Sequence, residues 1–242
     1  MSHGAYLLDL RDPVPYEEAW DLQRSLAAAV SQGAIPDTVI LLEHTPVITL
    51  GRRTEQGEVH IPADADVQLV ETDRGGKSTY HGPGQLVCYP ILDLQRHGQD
   101  VKRYVRDLER ALVGTLRAVG VEATPIEGLT GVWVTPSGVP GAPRKIASIG
   151  IHISKWVTTH GYALNVDLDP APFTHWITAC GLEDAAFTTV ARELGRPVHL
   201  DEVRPHALTA LAEVFALEFE ELPAEGGHGL WPQRVHAQLA AQ

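Results

Sequence analysis

The chain has little cysteine, little lysine and no long apolar run, and each shortage closes off a class of protein. Two cysteines, Cys88 and Cys180, in 242 residues are too few for a disulfide framework or a structural zinc site. No apolar stretch approaches the ~18–20 residues that a membrane-spanning helix needs. The opening residues, MSHGAYLLDLRD, have neither the basic-then-apolar order of a secretory signal nor the arginines of a mitochondrial leader. Together these predict a cytoplasmic protein with reduced thiols and no membrane contact. Positive charge is scarce too. Lys+Arg number 19 against 31 Asp+Glu, a net charge of −12, which argues against a general nucleic-acid binder. Residues 161–242 hold four basic and twelve acidic side chains. An acidic partner is therefore expected on the first two thirds, around Arg52, Arg53, Arg74, Lys77, Lys102, Arg103 and Arg106, unless those charges only form a solvated surface. The twelve histidines include no H-E-x-x-H and no ligand-like cluster with cysteine, so no metal site is expected.

What remains is an ordinary globular composition, 44% hydrophobic and 21% charged. Helical spacing of Ala19, Leu22, Leu26 and Ala29 predicts a helix over 14–32, and Val101, Tyr104, Val105, Leu108, Leu112, Leu116 and Val119 predict another over 100–119. A third is expected over 202–219, with Asp201 as its N-cap and Leu208, Leu211, Phe215 and Phe219 as its buried stripe. Short β-branched runs, TVILLEH, PVITLG and VQLVET, read as strands. QLVCYPILDL reads as a bent or edge strand because of Pro90. The stretches 145–154 and 157–167, parted only by Lys155 and Trp156, read as a tight hairpin. Hairpin pairs beside long helices predict a single α/β domain with a mixed sheet flanked by helices. It would fill residues 1–220 and leave 221–242 as a tail of little periodicity, expected to be disordered in part.

The stretch RGGKSTYHGPGQ, residues 74–85, poses the question of a phosphate cradle. A Walker loop that uses Gly76, Lys77 and Ser78 would need a glycine where Glu71 stands, and a helix rather than a strand after it. The glycines serve either as tight turns between strands or to admit a ligand close to the backbone. Arg74-Gly75-Gly76, Thr79, Tyr80, His81 and Gly84-Gln85 leading to Tyr89 resemble the signature R-G-G-x-x-T-aromatic-H-x-x-G-Q of the lipoyl(octanoyl) transferase family. The resemblance continues through RKIASIGIHISKWVTTHGYALNVD and TACGLEDAAFTTVARELGRPV and spans most of residues 35–205.

Membership would imply a fold like the catalytic domain of biotin and lipoate protein ligases. The implied activity is transfer of an octanoyl group from phosphopantetheine on acyl carrier protein to a lysine. Acceptors would be the lipoyl domains of 2-oxoacid dehydrogenase E2 subunits and the glycine cleavage H protein. No cofactor would be needed. The resemblance makes Cys180, before the turn glycine Gly181, the acyl-thioester nucleophile and Lys145 its dyad partner. It makes Arg74, Gly75, Gly76, Lys77, Ser78, Thr79, Tyr80, His81, Ser148, Ile149, Gly150, Gly161, Tyr162 and Ala163 the substrate-binding set.

The residues themselves say less. Cys88, inside LVCYPIL, reads as a small buried hydrophobe. Strict alternation places Lys145 on one face with Ala147, Ile149, Ile151 and Ile153, where its amine either reaches to water or is partly desolvated. Only four lysines stand against fifteen arginines, and a position that keeps lysine is a little more apt to need a titratable amine. The acceptor lysine is protonated at pH 7, and removing its proton costs roughly 4–5 kcal/mol. A general base is therefore required, and neutral Lys145 can serve. Backbone N–H groups near Cys180 and Gly181 are candidate oxyanion donors. A narrow apolar tunnel, walled by Ile and Val from 146–153 and 85–92, is expected to keep water from the acyl-enzyme. His152 and His160 read either as hydrogen-bonded strand histidines or as neighbours of the site. The competing readings are an ATP-dependent lipoate or biotin ligase and a non-catalytic module that binds a carrier protein.

Overall fold

The computed structural model describes residues 2–135, 142–177 and 186–222. The nucleophile candidate Cys180, Gly181, most of the turn-rich loop after Pro136 and the tail from residue 223 lie outside the described residues.

In chain order the first half comprises β1 (His3–Asp9), α1 (Tyr16–Ser31), β2 (Asp37–Leu42), β3 (Val47–Leu50), β4 (Gln68–Glu71), β5 (Thr79–His81), β6 (Gln85–Ile91) and α2 (Val101–Ala118). The second half comprises β7 (Thr124–Ile126), β8 (Leu129–Val134), β9 (Arg144–Ser154), β10 (Val157–Asn165), α3 (Ala171–His175), β11 (Ala186–Phe187), α4 (Val190–Leu194), α5 (Leu200–Phe215) and β12 (Leu217–Glu221). The large sheet runs β12-β1-β2-β6-β10-β9-β8-β7, with β11 beside β9. A small sheet, β4-β3-β5, stands apart.

One face of the large sheet packs against α2 and α5 through Leu108, Leu112, Leu116, Leu211 and Phe215. The other packs against α1 through Leu22, Leu26 and Ala29, at the spacing the sequence predicts. α2 begins where Asp100 accepts a hydrogen bond from Arg103 N at 3.0 Å, a side-chain cap for an otherwise orphaned donor. Its first valine, Val101, is exposed rather than part of the buried stripe. The hairpin turn at Lys155 and Trp156 has φ of 50° and 68°, the doubly left-handed turn whose twist matches the strands it joins.

Two expectations are corrected. α5 starts two residues early, where the Glu202 side chain accepts from His199 N at 3.0 Å, and Asp201 pairs instead with Arg11 at 2.6 Å. It ends at Phe215 because Ala216 turns left-handed, with φ 53°. Phe219 then lies in β12, opposite Ala5 of β1.

The second correction concerns β6: of the two readings, bent or edge, the edge is excluded, because the strand is central despite Pro90, with β2 on one side and β10 on the other. Pro90 O accepts from Thr158 Oγ1 at 2.7 Å, so the proline ring nitrogen also faces β10. There the missing donor is tolerated because β10 buckles: His160 is left-handed, with φ 56°. The Thr158 hydroxyl bridges the gap by also accepting from Leu92 N at 2.9 Å. A bulge opposite a proline is the way a central strand accommodates one.

Candidate functional site

The buckled β10 borders a cavity of about 640 Å³ on the α1 side of the sheet. Its mouth is formed by exposed Arg52, Arg53, Glu55, Gly128 and Thr130, and its buried lining includes Lys145, Trp133 and Ser78 together with Tyr16, Val87, Tyr89, His81 and His160.

Lys145 reaches this cavity because alternation fails. In the β8–β9 pairing Val132 faces Ala147 but Trp133 faces Lys145, so β9 carries one extra residue. Ile146 and Ala147 consequently both enter the α2–α5 core, and Lys145 swings to the opposite face from the one expected. Its Nζ sits 4.9 Å from the centroid of the Trp133 ring, and the residue is 5% exposed. Gly131 makes room for it. A Cβ there would lie 2.6 Å from Ala147 O and 2.8 Å from Lys145 Cε, at a φ of 118°. On the other side of β9, Phe187 is the register partner of Lys145, and it too lines the cavity.

The glycine loop closes the cavity from above. The Arg74 guanidinium is buried and donates to Lys77 O at 2.8 Å and to Thr49 O and Oγ1, each at 2.7 Å. It holds the loop to β3. Gly75 N donates to Ile151 O at 2.9 Å, which docks the loop on the part of β9 that β8 leaves unpaired. Gly76, with φ 90°, turns the chain so that Lys77, Ser78 and Thr79 follow along the wall. Lys77 pairs with Glu58 and, at 3.6 Å, with Glu55. The Ser78 hydroxyl is buried and has no hydrogen-bond partner among the described residues.

Of the substrate-binding candidates, Arg74, Gly76, Lys77, Ser78, Thr79, His81, Ser148, Ile149, Gly150, Gly161, Tyr162 and Ala163 all line the cavity. Gly75 and Tyr80 stand behind the wall. Tyr80 alternates away from Thr79 and His81 and meets Phe173 and Trp176 edge-on at 5.8 and 6.1 Å. Tyr16, Trp133 and Asp73 escaped sequence reasoning, whereas His160, read as either a strand histidine or a neighbour of the site, is both. Trp133 was readable as the odd residue between core-facing Val132 and Val134, whereas nothing in the sequence marks Tyr16.

The walls also differ from the expected apolar tunnel. Val87 and Ile149 contribute, but Ile146, Ile151 and Ile153 pack with the α2–α5 core, and buried polar aromatics take their place. The expected basic face is likewise split. Arg74 is buried, and Lys102, Arg103 and Arg106 lie on α2, outside the cavity lining. Arg52 and Arg53 are left at the mouth, with no ion pair among the described residues.

The histidine tautomers follow from the bonds. Asn165 Nδ2 donates to Thr188 O at 3.1 Å, so Asn165 Oδ1 accepts from Gln85 Nε2 at 3.0 Å, and Gln85 Oε1 accepts from His81 Nδ1 at 2.7 Å. His81 Nε2 is left with its lone pair. His44 Nδ1 donates to Val14 O at 2.8 Å and Nε2 accepts from the Tyr89 hydroxyl at 2.7 Å. His160 Nε2 donates to Asp73 at 2.7 Å. His152 lies 3.7 Å from the same carboxylate and outside the cavity lining.

Burial holds His44 down to about 4, against a weaker opposing pull from Val14 O. It also lowers His81 and His160, in the latter case against Asp73. Each folded value lies below the ordinary histidine value near 6.5, so the unfolded chain binds protons first as pH falls. Stability is therefore full above about pH 6.5 and declines toward pH 4, by ~2 kcal/mol at pH 5 from His44 alone. Urea unfolding at pH 7 and pH 5 checks this. The midpoint should fall with little change in slope, and equal midpoints would refute it.

Residues 15–212 match the family model described as the lipoyl protein ligase A/B catalytic domain. The chain belongs to this family. Among its relatives, an octanoyltransferase of Chloroflexus aurantiacus is 47% identical over 210 residues, 85% of this chain and 92% of the relative. Another from Mycobacterium leprae (strain TN) is 48% identical over 201 residues, 83% and 82% of the two chains. Solved structures share the architecture at low identity. A bi-partite lipoate protein ligase from Thermoplasma acidophilum has a TM-score of 0.67 at 19% identity, covering 99% of this chain and 92% of that one. A lipoate-protein ligase A bound with ATP has a TM-score of 0.67 at 18% identity, covering 99% and 95%. The ligase-type fold expected from the resemblance is thus the one observed, a mixed α/β domain with its large sheet between helices. No helix among the described residues is long and apolar enough to cross a membrane.

Proposed function

We propose that this chain is an octanoyltransferase, an acyltransferase that moves an octanoyl group from acyl carrier protein to a lysine of a lipoyl domain through a thioester on Cys180. The observation that carries the reading is a buried lysine amine in a cavity that also presents two exposed arginines, without an ion pair among the described residues, and a buried aromatic lining. The Cys180 thiolate attacks the donor's carbonyl carbon. A new C–S bond forms, the old one breaks, and pantetheine leaves as its thiol with the proton given up by Cys180. The acceptor amine then attacks the acyl-enzyme, the C–S bond to Cys180 breaks, and the amine's proton returns the sulfur to a thiol. Lys145 passes the proton in both halves.

A thioester is already activated toward an amine, so no nucleotide or other cofactor is consumed. The glycine loop accordingly serves as a wall and not as a triphosphate cradle. Arg52 and Arg53 suit the phosphate of a pantetheine arm and an acidic carrier behind it. Lipoyl domains of E2 subunits and of the glycine cleavage H protein are the acceptors in this reading, and the cytoplasm its setting. Incubation with octanoyl-loaded carrier and no ATP should add the mass of one octanoyl group, labile to hydroxylamine and mapped to Cys180. A dependence on ATP, or a full adduct in Cys180→Ser, would reject it.

A further inference from the structure

We propose that Tyr16, braced by His160 and Asp73, is the end stop of the acyl site and sets the length of chain the enzyme carries. The proposal rests on the transfer reading and extends it to a residue with no assigned role.

The cavity has an exposed rim and a buried lining. Arg52 and Arg53 at its mouth are open to solvent, whereas Lys145 is 5% exposed and Tyr16 and His160 are each 1% exposed. In this proposal an acyl chain bound as a thioester beside Lys145 extends along the buried lining toward Tyr16 and His160. Gly150 lies five residues along β9 from Lys145 and pairs with Gly161, next to His160. That path is roughly 13–16 Å long at strand spacing. An extended eight-carbon chain is roughly 9–10 Å, from bonds of about 1.5 Å. The side chains that project into the end of the path take up the difference.

The end wall is stiff. The Tyr16 hydroxyl donates to His160 Nδ1 at 3.3 Å, since Nε2 carries the proton given to Asp73 at 2.7 Å. His160 is pinned from behind by its own N–H, which donates to Gln23 Oε1 at 2.6 Å, and it keeps a left-handed φ of 56°. The Tyr16 ring also stacks on His81, with centroids 5.9 Å apart. Overhead, a Cβ on Gly150 would lie 3.1 Å from Gly75 O and 3.3 Å from Arg74 Cδ, so the roof has little slack. A longer chain must break the bonds of this wall to advance, leaving buried polar groups unpaired. Each methylene that a pocket refuses is worth about 10–200-fold in discrimination.

The test is a series of acyl thioesters of six to fourteen carbons on the carrier, scored by kcat/KM. Wild type should fall at least tenfold from the eight-carbon donor to the twelve-carbon one. Tyr16→Leu, which shortens the wall, should raise the twelve-to-eight ratio at least tenfold. Ala163→Val, which adds bulk to the floor, should shift the optimum toward six carbons. A variant that still carries octanoyl shows that transfer is intact, so failure of the stop is distinguishable from failure of the function. Wild type that takes twelve carbons as readily as eight overturns the proposal without any variant. So does Tyr16→Leu if it lowers every chain length in proportion.

Discussion

Replacing Lys145 with alanine lowers kcat/KM for octanoyl transfer about 10²–10⁴-fold, the range spanned by loss of a positioned acid–base group. Both halves of the reaction should slow, because in the proposed mechanism one amine handles the proton in each. Single-turnover acylation of Cys180 and its discharge onto a lipoyl domain can be timed separately, and each should show the loss. Arginine does not rescue. A guanidinium cannot surrender its proton, so it cannot act as the base even if it stacks on the Trp133 face, where the Lys145 amine lies 4.9 Å from the centroid. Removing the sulfur is more severe still: Cys180→Ala should form no acyl-enzyme at all. Near-normal turnover by Lys145→Ala would remove the base from the mechanism while leaving the thioester step standing.

The second large effect is on stability. Gly161→Ala places a methyl carbon 2.2 Å from Cys88 O and 2.7 Å from Pro90 Cδ. Neither neighbour can yield, since one is backbone of a central strand and the other a ring fused to it. The expected cost is about 3–4 kcal/mol, at the upper end of overpacking effects. At about 2–4 °C per kcal/mol for a domain of this size, the thermal midpoint drops about 6–16 °C. Gly4→Ala is the control. Nothing lies within 4 Å of its built Cβ, and the midpoint should hold. A stable Gly161→Ala would mean that β6 and β10 are not packed as closely as described.

The sequence made some of this legible and hid the rest for definable reasons. Helices α1 and α2 were readable because each shows a periodic apolar stripe, and the β9–β10 hairpin because two β-rich runs are separated by two residues. The family motif drew attention to the loop from Arg74 to His81, most of which lines the cavity. Local pattern failed wherever a strand breaks its own period. Lys145 faces the cavity only because of the extra residue at Ile146, and a bulge leaves no mark on alternation. Pro90 argued for a bent or edge strand, and the buckle at His160 is what lets β6 lie in the centre of the sheet. Tyr16 lies 129 residues before Lys145, and no local signal links them.

The bulge in β9 has a consequence for how this gene can change. Because register rather than residue type aims the amine, deleting one codon near Ile146 would turn it into the oily layer between β9 and α2 while leaving every motif residue in place. Point substitutions along β9 are comparatively benign by that measure. The lineage should therefore tolerate drift in the spelling of this strand far better than drift in its length.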